Sequence, residues 1–162
     1  MSDTMNRRVW IGRSAVVLLG GVSIGRQWPT FDAIEPELEV RRRPGCSCCE
    51  KWVERMRQAG FTVTVSEMPE TDRAAYAARL GVPESAMTCH TGVVGGYVIE
   101  GHVPPVHVRR LLKDRPDIAG IGVSEMPAGS PGMEVSGRSE PYDVLAFRRD
   151  RTTYVFAHEN GA

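Results

Sequence analysis

Residues 45–56 read GCSCCEKWVERM, and this stretch decides the fold. Four of its side chains recur at the i, i+3, i+4, i+7 spacing of one helix face: Cys49, Trp52, Val53 and Met56. Pro44 and Gly45 break any preceding strand immediately before the cysteines. The stretch therefore predicts a helix whose first turn carries a cysteine cluster.

Strand-like segments flank this helix. Residues 38–42 can form a strand, and residues 61–65, FTVTV, alternate as a strand does after Gly60 ends the helix. A strand, a cysteine-bearing helix start and a second strand form the opening βαβ unit of a thioredoxin-like fold.

The remaining patterns complete one α/β domain. Residues 71–80 predict a second helix, residues 92–99 a hairpin turning at Gly95-Gly96, and residues from Pro105 a third helix. Two further strands, at 142–147 and 152–156, flank a polar turn. We predict a single thioredoxin-like domain over residues 38–160, with a central mixed sheet, flanking helices and a C-terminal β-hairpin.

The first residues suggest export. Arg7 and Arg8 precede a mostly apolar run that extends to Gly25 and resembles a twin-arginine signal, although Arg13 interrupts it. The run is too short and interrupted for a confident membrane span. We expect an export signal or anchor at residues 1–26, a linker at 27–37, and a periplasmic or cell-envelope location. The alternative is a frayed tail of a cytosolic protein.

Composition excludes several classes of function. At 162 residues the chain can bury one globular core, and its 20 basic and 20 acidic side chains cancel. No net charge would draw it to nucleic acid or an anionic membrane, so nucleic acid is not expected as a partner. Three of its four cysteines fall within four positions, which indicates a redox or metal site rather than a disulfide framework.

The predicted fold would gather all four cysteines. Cys46 and Cys49 have C-x-x-C spacing at a helix start, where the helix dipole stabilises a thiolate, and Arg41, Arg42 and Arg43 could add to that effect. Cys89 lies just ahead of the predicted hairpin, in a loop that packs against the helix start in thioredoxin-like folds. The predicted metal ligands are therefore Cys46, Cys48, Cys49 and Cys89.

Thiolates select soft metals, which leaves Cu(I), zinc and iron–sulfur clusters open. Zinc fits less well, because adjacent Cys48 and Cys49 would strain a tetrahedron around one ion. Cu(I) tolerates low coordination and bridging thiolates, so crowded cysteines could hold one ion or several. Alternatively, Cys49 is not a ligand and only fills space as a small buried apolar residue on the inner face of the helix.

Other soft or imidazole ligands lie near the cysteines in sequence or in a flexible loop. His90 adjoins Cys89, Met87 lies close to it, and Met126 and Met133 lie in a glycine- and proline-rich loop. Their roles stay open at this point. Three other histidines show no partner spacing and are not predicted as ligands: His102, His107 and His158.

The chain resembles the CopG-like family of bacterial proteins, a domain-of-unknown-function family linked to copper resistance. The matching stretches are CSCC at 46–49, LGVP at 80–83, CHT at 89–91, VVGGYVIEGHVP at 93–104, GSPGME at 129–134 and PYDV at 141–144. The resemblance runs from about residue 38 to 156. It implies a thioredoxin-like fold, a periplasmic location and Cu(I), as one ion or a cluster, on the C-x-C-C cysteines and the later cysteine. Ser47 stands where many relatives have glycine.

Three functions follow from these patterns. The leading hypothesis is a copper-binding protein, not an enzyme, that sequesters Cu(I) for copper resistance or homeostasis alongside other envelope copper-handling proteins. The alternative is a thiol–disulfide or copper oxidoreductase in which Cys46 attacks and Cys49 resolves. The absence of a proline at the loop before the hairpin counts against that alternative. The third is a structural zinc domain.

Overall fold

The computed structural model describes residues 37–160. The predicted export signal and all but the last residue of the predicted linker lie outside these residues. The described chain forms a mixed α/β fold in the order β1 (Glu37–Arg42), α1 (Ser47–Gln58), β2 (Thr62–Glu67), α2 (Glu70–Arg79), β3 (His90–Val94), β4 (Tyr97–Glu100), α3 (Pro105–Asp114), β5 (Gly120–Gly122), β6 (Tyr142–Phe147) and β7 (Thr153–Glu159). A single 3-10 turn at Glu84–Ala86 precedes β3.

All seven strands join one sheet in the order β2-β1-β3-β4-β5-β6-β7. β1 pairs parallel with β2 and antiparallel with β3, and β3 and β4 form an antiparallel hairpin. Helix α3 connects β4 to its parallel neighbour β5. The predicted βαβ unit, the hairpin followed by a helix, and the terminal hairpin β6–β7 are confirmed, while the thioredoxin-like label stays a prediction.

The terminal hairpin extends the main sheet through a strand that the sequence did not predict. β5 is three residues long and pairs parallel with β4 and antiparallel with β6. Short glycine-containing strands carry little periodicity, which explains why this one was missed. Its presence makes the hairpin part of the domain's central sheet rather than an appendage.

Helices cover both faces of the sheet. Ile99 and Val98 are neighbours in β4 and so point to opposite faces. Ile99 packs in the main core with Trp52 of α1 and Leu111 of α3. Val98 packs in a smaller cluster with Ala77 of α2. The described residues contain no helix long and apolar enough to cross a membrane.

Candidate metal centre

Helix α1 places three cysteines as the sequence predicted. Cys46 stands at the N-cap in an extended conformation, and its carbonyl accepts the first helical hydrogen bond from the Glu50 N–H at 3.2 Å. Cys49 lies on the buried face with Trp52, whereas Cys48 is partly exposed. We call residues 43–49 the first cysteine loop.

Sheet pairing brings Cys89 to this helix start. Arg42, at the end of β1, lies opposite His90, at the start of the antiparallel strand β3. The loops leaving these two strand ends therefore meet: the Arg43 N–H lies 3.4 Å from the Cys89 carbonyl oxygen, and Cys49 Sγ lies 3.7 Å from it. We call residues 87–90 the second cysteine loop.

The four cysteine sulfurs form one cluster. The Sγ atoms of Cys46, Cys48, Cys49 and Cys89 all lie within 4.8 Å of one another. Cys46 and Cys49 are joined in a disulfide, and Cys48 Sγ lies 3.4 Å from Cys46 Sγ. Cys48 and Cys89 are free thiols. The metal site predicted from the sequence uses all four cysteines as thiolates. That set is complete only after the Cys46–Cys49 disulfide is reduced.

Two histidines extend the cluster on the side of Cys89. Its Sγ lies 3.5 Å from His90 Nδ1 and 3.6 Å from His102 Nε2, and the three side chains form a second group with metal-binding geometry. His102 Nδ1 lies 2.8 Å from the Pro131 carbonyl oxygen. Because a carbonyl only accepts, Nδ1 carries the hydrogen and the neutral ring turns its Nε2 lone pair towards Cys89. Metal-binding histidines are commonly held in this way.

Both rings favour the neutral form that binds metals. Burial, followed by the neighbouring His102, lowers the pKa of His90 well below its usual value, and burial lowers the pKa of His102. The Nε2 atom of His90 is buried without a hydrogen-bond partner in the described part of the chain. The donor set of thiols and neutral imidazoles therefore fits a soft or borderline metal.

Sequence reasoning missed His102 because it relied on spacing along the chain. His102 lies 13 residues beyond Cys89, and the β3–β4 hairpin folds the two together. A signal was present, since His102 belongs to the stretch VVGGYVIEGHVP that carries the family resemblance. By contrast, His107 and His158 pair with the carboxylates of Glu159 and Asp143.

One methionine approaches the sulfur cluster from outside. Met126 Sδ lies 3.9 Å from Cys48 Sγ, and the Met126 side chain is 45% exposed. A cavity of about 440 Å³ opens beside Cys89 and is lined in part by Met87 and Met126. The cysteines lie deeper, because Cys46, Cys49 and Cys89 are 4%, 0% and 7% exposed. Met126 and Cys48 therefore form the solvent-facing side of the cluster.

A buried ion pair lies behind the second cysteine loop. Glu100, at the end of β4, is fully buried and lies 3.3 Å from Arg73 of α2, which is 2% exposed. Burial raises the pKa of the Glu100 carboxyl, opposed by hydrogen bonds from Thr91 and Thr88 and by the charge of Arg73. No sequence pattern predicted this pair, because its partners are 27 residues apart on different elements.

The local charges act unequally on the cysteines. Arg42 forms salt bridges with the carboxylates of Glu50 and Glu67, at 3.0 and 2.7 Å. Burial and then the charge of Cys48 raise the pKa of the Cys89 thiol to about 12, although Arg43 opposes this. In the form with the Cys46–Cys49 disulfide, Cys89 is therefore a protonated thiol at neutral pH.

Comparisons with known proteins find related sequences and structures. A family model described as a protein of unknown function, DUF411, matches residues 86–133, which contain Cys89, His90 and His102. A solved structure titled copper resistance protein CopG, form 2, is 40% identical, with a TM-score of 0.69 and coverage of 76% of this chain and 97% of that chain.

The chain belongs to the CopG-like family. A second solved structure, form 1 of copper resistance protein CopG, is 39% identical, with a TM-score of 0.70 over 78% of this chain and 100% of that chain. No curated protein matches the chain. Family membership confirms the resemblance seen in the sequence, and the cysteine cluster gives this member a group of side chains that could hold a metal.

Proposed function

We propose that the protein binds Cu(I) through Cys46, Cys48, Cys49 and Cys89 in their reduced form and serves copper sequestration, resistance or homeostasis in the cell envelope. The observation that carries the proposal is the approach of all four sulfur atoms to within 4.8 Å of one another. The titles of the two CopG relatives, which name copper resistance, support copper among the soft metals.

The geometry favours a site with room for more than one copper ion. Four thiolates crowded around one point can bridge metal ions, and His90 and His102 offer nitrogen donors beside Cys89. Cys89 belongs to both groups of ligands, so it would connect them. Zinc fits less well, because a structural zinc site is a closed tetrahedron with separated ligand pairs.

The N-terminal sequence supports the choice of compartment. The arginine pair and apolar run at residues 7–25 indicate an envelope protein. An oxidising compartment would also favour the Cys46–Cys49 disulfide, so copper binding there would require prior reduction of that bond. In the reduced protein, Cu(I) displaces protons from the thiols as it binds.

Anaerobic titration of the fully reduced chain with Cu(I), against a competing chelator, tests the proposal. We expect tight uptake of at least one Cu(I) per chain, and loss of tight binding in Cys46→Ser and Cys89→Ser variants that keep the native circular dichroism spectrum. A variant at an exposed histidine, His158→Gln, should bind as the parent does. Negligible uptake, or unchanged stoichiometry in both serine variants, contradicts the proposal.

The Cys46–Cys49 disulfide favours a second candidate, a thiol–disulfide oxidoreductase. In the reducing direction, the Cys46 thiolate attacks a substrate disulfide and releases one thiol. Cys49 then attacks Cys46 in the mixed disulfide, releasing the second thiol and regenerating the internal disulfide. The substrate is reduced by two electrons, which the two cysteines lose.

Burial of both cysteines argues against large disulfide substrates, since Cys46 is 4% and Cys49 is 0% exposed. Turnover in a disulfide-reduction assay that disappears in Cys46→Ser, with Cys89→Ser as the control, would promote this candidate over copper binding alone. No turnover in the reduced parent protein would retire it.

A further inference from the structure

The carboxylate of Glu100 contacts residues on both sides of the Cys89–His90 pair. Its Oε1 accepts a hydrogen bond from the Thr88 backbone N–H at 2.7 Å, and the Thr88 hydroxyl lies 3.2 Å from the same oxygen. Its Oε2 accepts a hydrogen bond from the Thr91 hydroxyl at 2.7 Å. One buried side chain thus fixes the residue before Cys89 and the residue after His90.

The sheet and helix α2 hold this carboxylate in place. Glu100 and Thr91 are direct partners across the β3–β4 pair, so their side chains lie on the same face of the sheet. From that face, Arg73 of α2 donates to Glu100 Oε1 at 3.3 Å and lies 3.4 Å from the Thr91 hydroxyl. The other edge of the Arg73 guanidinium pairs with Glu70. Every polar partner of the carboxylate therefore comes from a rigid element or from the second cysteine loop itself.

The buried Arg73–Glu100 ion pair adds little to the stability of the fold by itself. Removing two charges from water costs about as much as their mutual attraction returns, so a buried ion pair adds little to folding compared with apolar packing. Hydrogen bonds to a charged acceptor are short and directional, and they fix backbone position well. The arrangement fits the fixing of a loop better than the stabilising of a core.

We infer that Glu100, held by Arg73, is a positioning residue that sets the place of Cys89 against the other cysteines and against His102. It acts through the backbone of Thr88 and the side chain of Thr91, and it does not itself bind the metal. The inference rests on the proposed copper function for one of its two tests, and the other test uses the metal-free protein.

The first test is a double-mutant cycle on Cu(I) affinity in the full chain. We expect Glu100→Gln, which keeps the shape but removes the charge, to weaken Cu(I) binding by about tenfold, the lower end of the loss seen when the support of a metal ligand is removed. In a Cys89→Ser background the same substitution should change affinity by less than about twofold, because its effect passes through Cys89. Equal losses in both backgrounds would show a purely structural role and overturn the inference.

The second test measures alkylation of Cys89 in the metal-free protein by mass spectrometry. Glu100→Gln should loosen the second cysteine loop and so increase the alkylation rate of Cys89 several-fold. The alkylation rate of Cys48 should stay unchanged. The matched control is Glu70→Gln, which removes the other carboxylate of Arg73 and makes no hydrogen bond to Thr88 or Thr91 in the described structure. An unchanged Cys89 rate, or an equal rise with Glu70→Gln, overturns the inference.

A milder variant covers the case in which Glu100→Gln does not fold. Thr91→Val removes one hydroxyl donor and leaves the Arg73–Glu100 pair intact. We expect Thr91→Val to weaken Cu(I) binding and to speed Cys89 alkylation, both by less than Glu100→Gln does. If the reduced parent chain itself fails to bind Cu(I), the proposed function falls, and the alkylation test still decides the positioning role.

Discussion

The two cysteine loops supply sulfur to one cluster, but they are built differently. The first cysteine loop leads into a helix, contains three cysteines and leaves one of them, Cys48, partly exposed beside Met126. The second cysteine loop contributes a single buried cysteine, flanked by two neutral histidines and held from behind by Glu100. A site made this way combines a partly exposed thiol that could exchange a metal with a buried thiol whose loop is fixed by hydrogen bonds.

Replacing single cysteines should break this comparison most strongly. Cys89 belongs to both ligand groups, whereas Cys48 belongs to the thiolate group alone. We expect Cys89→Ser to weaken Cu(I) binding by about a hundredfold or more, beyond the usual cost of losing a supporting residue, and Cys48→Ser to weaken it less. Competition titrations on both reduced variants measure the loss of Cu(I) affinity. An equal loss in both variants, or a larger loss in Cys48→Ser, would show that Cys89 contributes no more to binding than Cys48.

The pH dependence of alkylation should reveal the raised pKa of the Cys89 thiol in the disulfide form. With a pKa of about 12, about one Cys89 in ten thousand is a thiolate at pH 8, and this fraction rises about tenfold per pH unit until the pKa is reached. We expect the rate of Cys89 alkylation to follow that rise throughout pH 7–11. Site-resolved mass spectrometry measures it, and a plateau below pH 9 would contradict the raised pKa of this thiol.

Gly132→Ala should disturb the packing of the first cysteine loop. Gly132 has a φ of +88°, and a Cβ there would lie 2.8 Å from both the Cys48 carbonyl oxygen and the Trp52 backbone nitrogen. The steric clash should destabilise the protein by about 1–3 kcal/mol beyond the cost of the positive φ, which the control shares. Chemical denaturation measures this loss. Gly137→Ala is the control, because Gly137 also has a positive φ but a Cβ there meets no atom within 4 Å.

The smallest expected effect concerns the open side of the cluster. Met126→Leu keeps the volume but removes the thioether beside Cys48. We expect a few-fold slower transfer of Cu(I) to a chelator with unchanged stoichiometry, because a soft donor at the surface assists exchange. Stopped-flow transfer with Met133→Leu as the control tests this. A lower stoichiometry would instead make Met126 a permanent ligand.

Local patterns predicted the elements that carry the first cysteine loop. Cys49, Trp52, Val53 and Met56 are the buried residues of α1, as their spacing indicated. The predicted second helix and the hairpin agree with α2 and β3–β4 to within one or two residues. The proximity of Cys89 to the helix start also followed, because it depends on the fold expected from those elements.

The contacts that shape the second cysteine loop were not predictable in this way. His102 and Glu100 contact Cys89 and its neighbours only after the β3–β4 hairpin forms. Arg73, which contacts Glu100, lies on helix α2 and is 27 residues away from it in sequence. Charged residues in a sequence are most often exposed, so nothing local distinguishes a buried carboxylate from a solvated one.

By itself, the sequence determined the α/β class, the cysteine-bearing helix start and the family, because these depend on periodicity, spacing and motifs along the chain. Tertiary structure decided the approach of His102 to Cys89 and the strand β5. In β5, a Cβ at Gly120 would overlap the Val98 carbonyl and lie 2.7 Å from the Phe147 ring, so the glycine reflects packing rather than a turn. Such features depend on which distant atoms meet, and one-dimensional patterns do not record that.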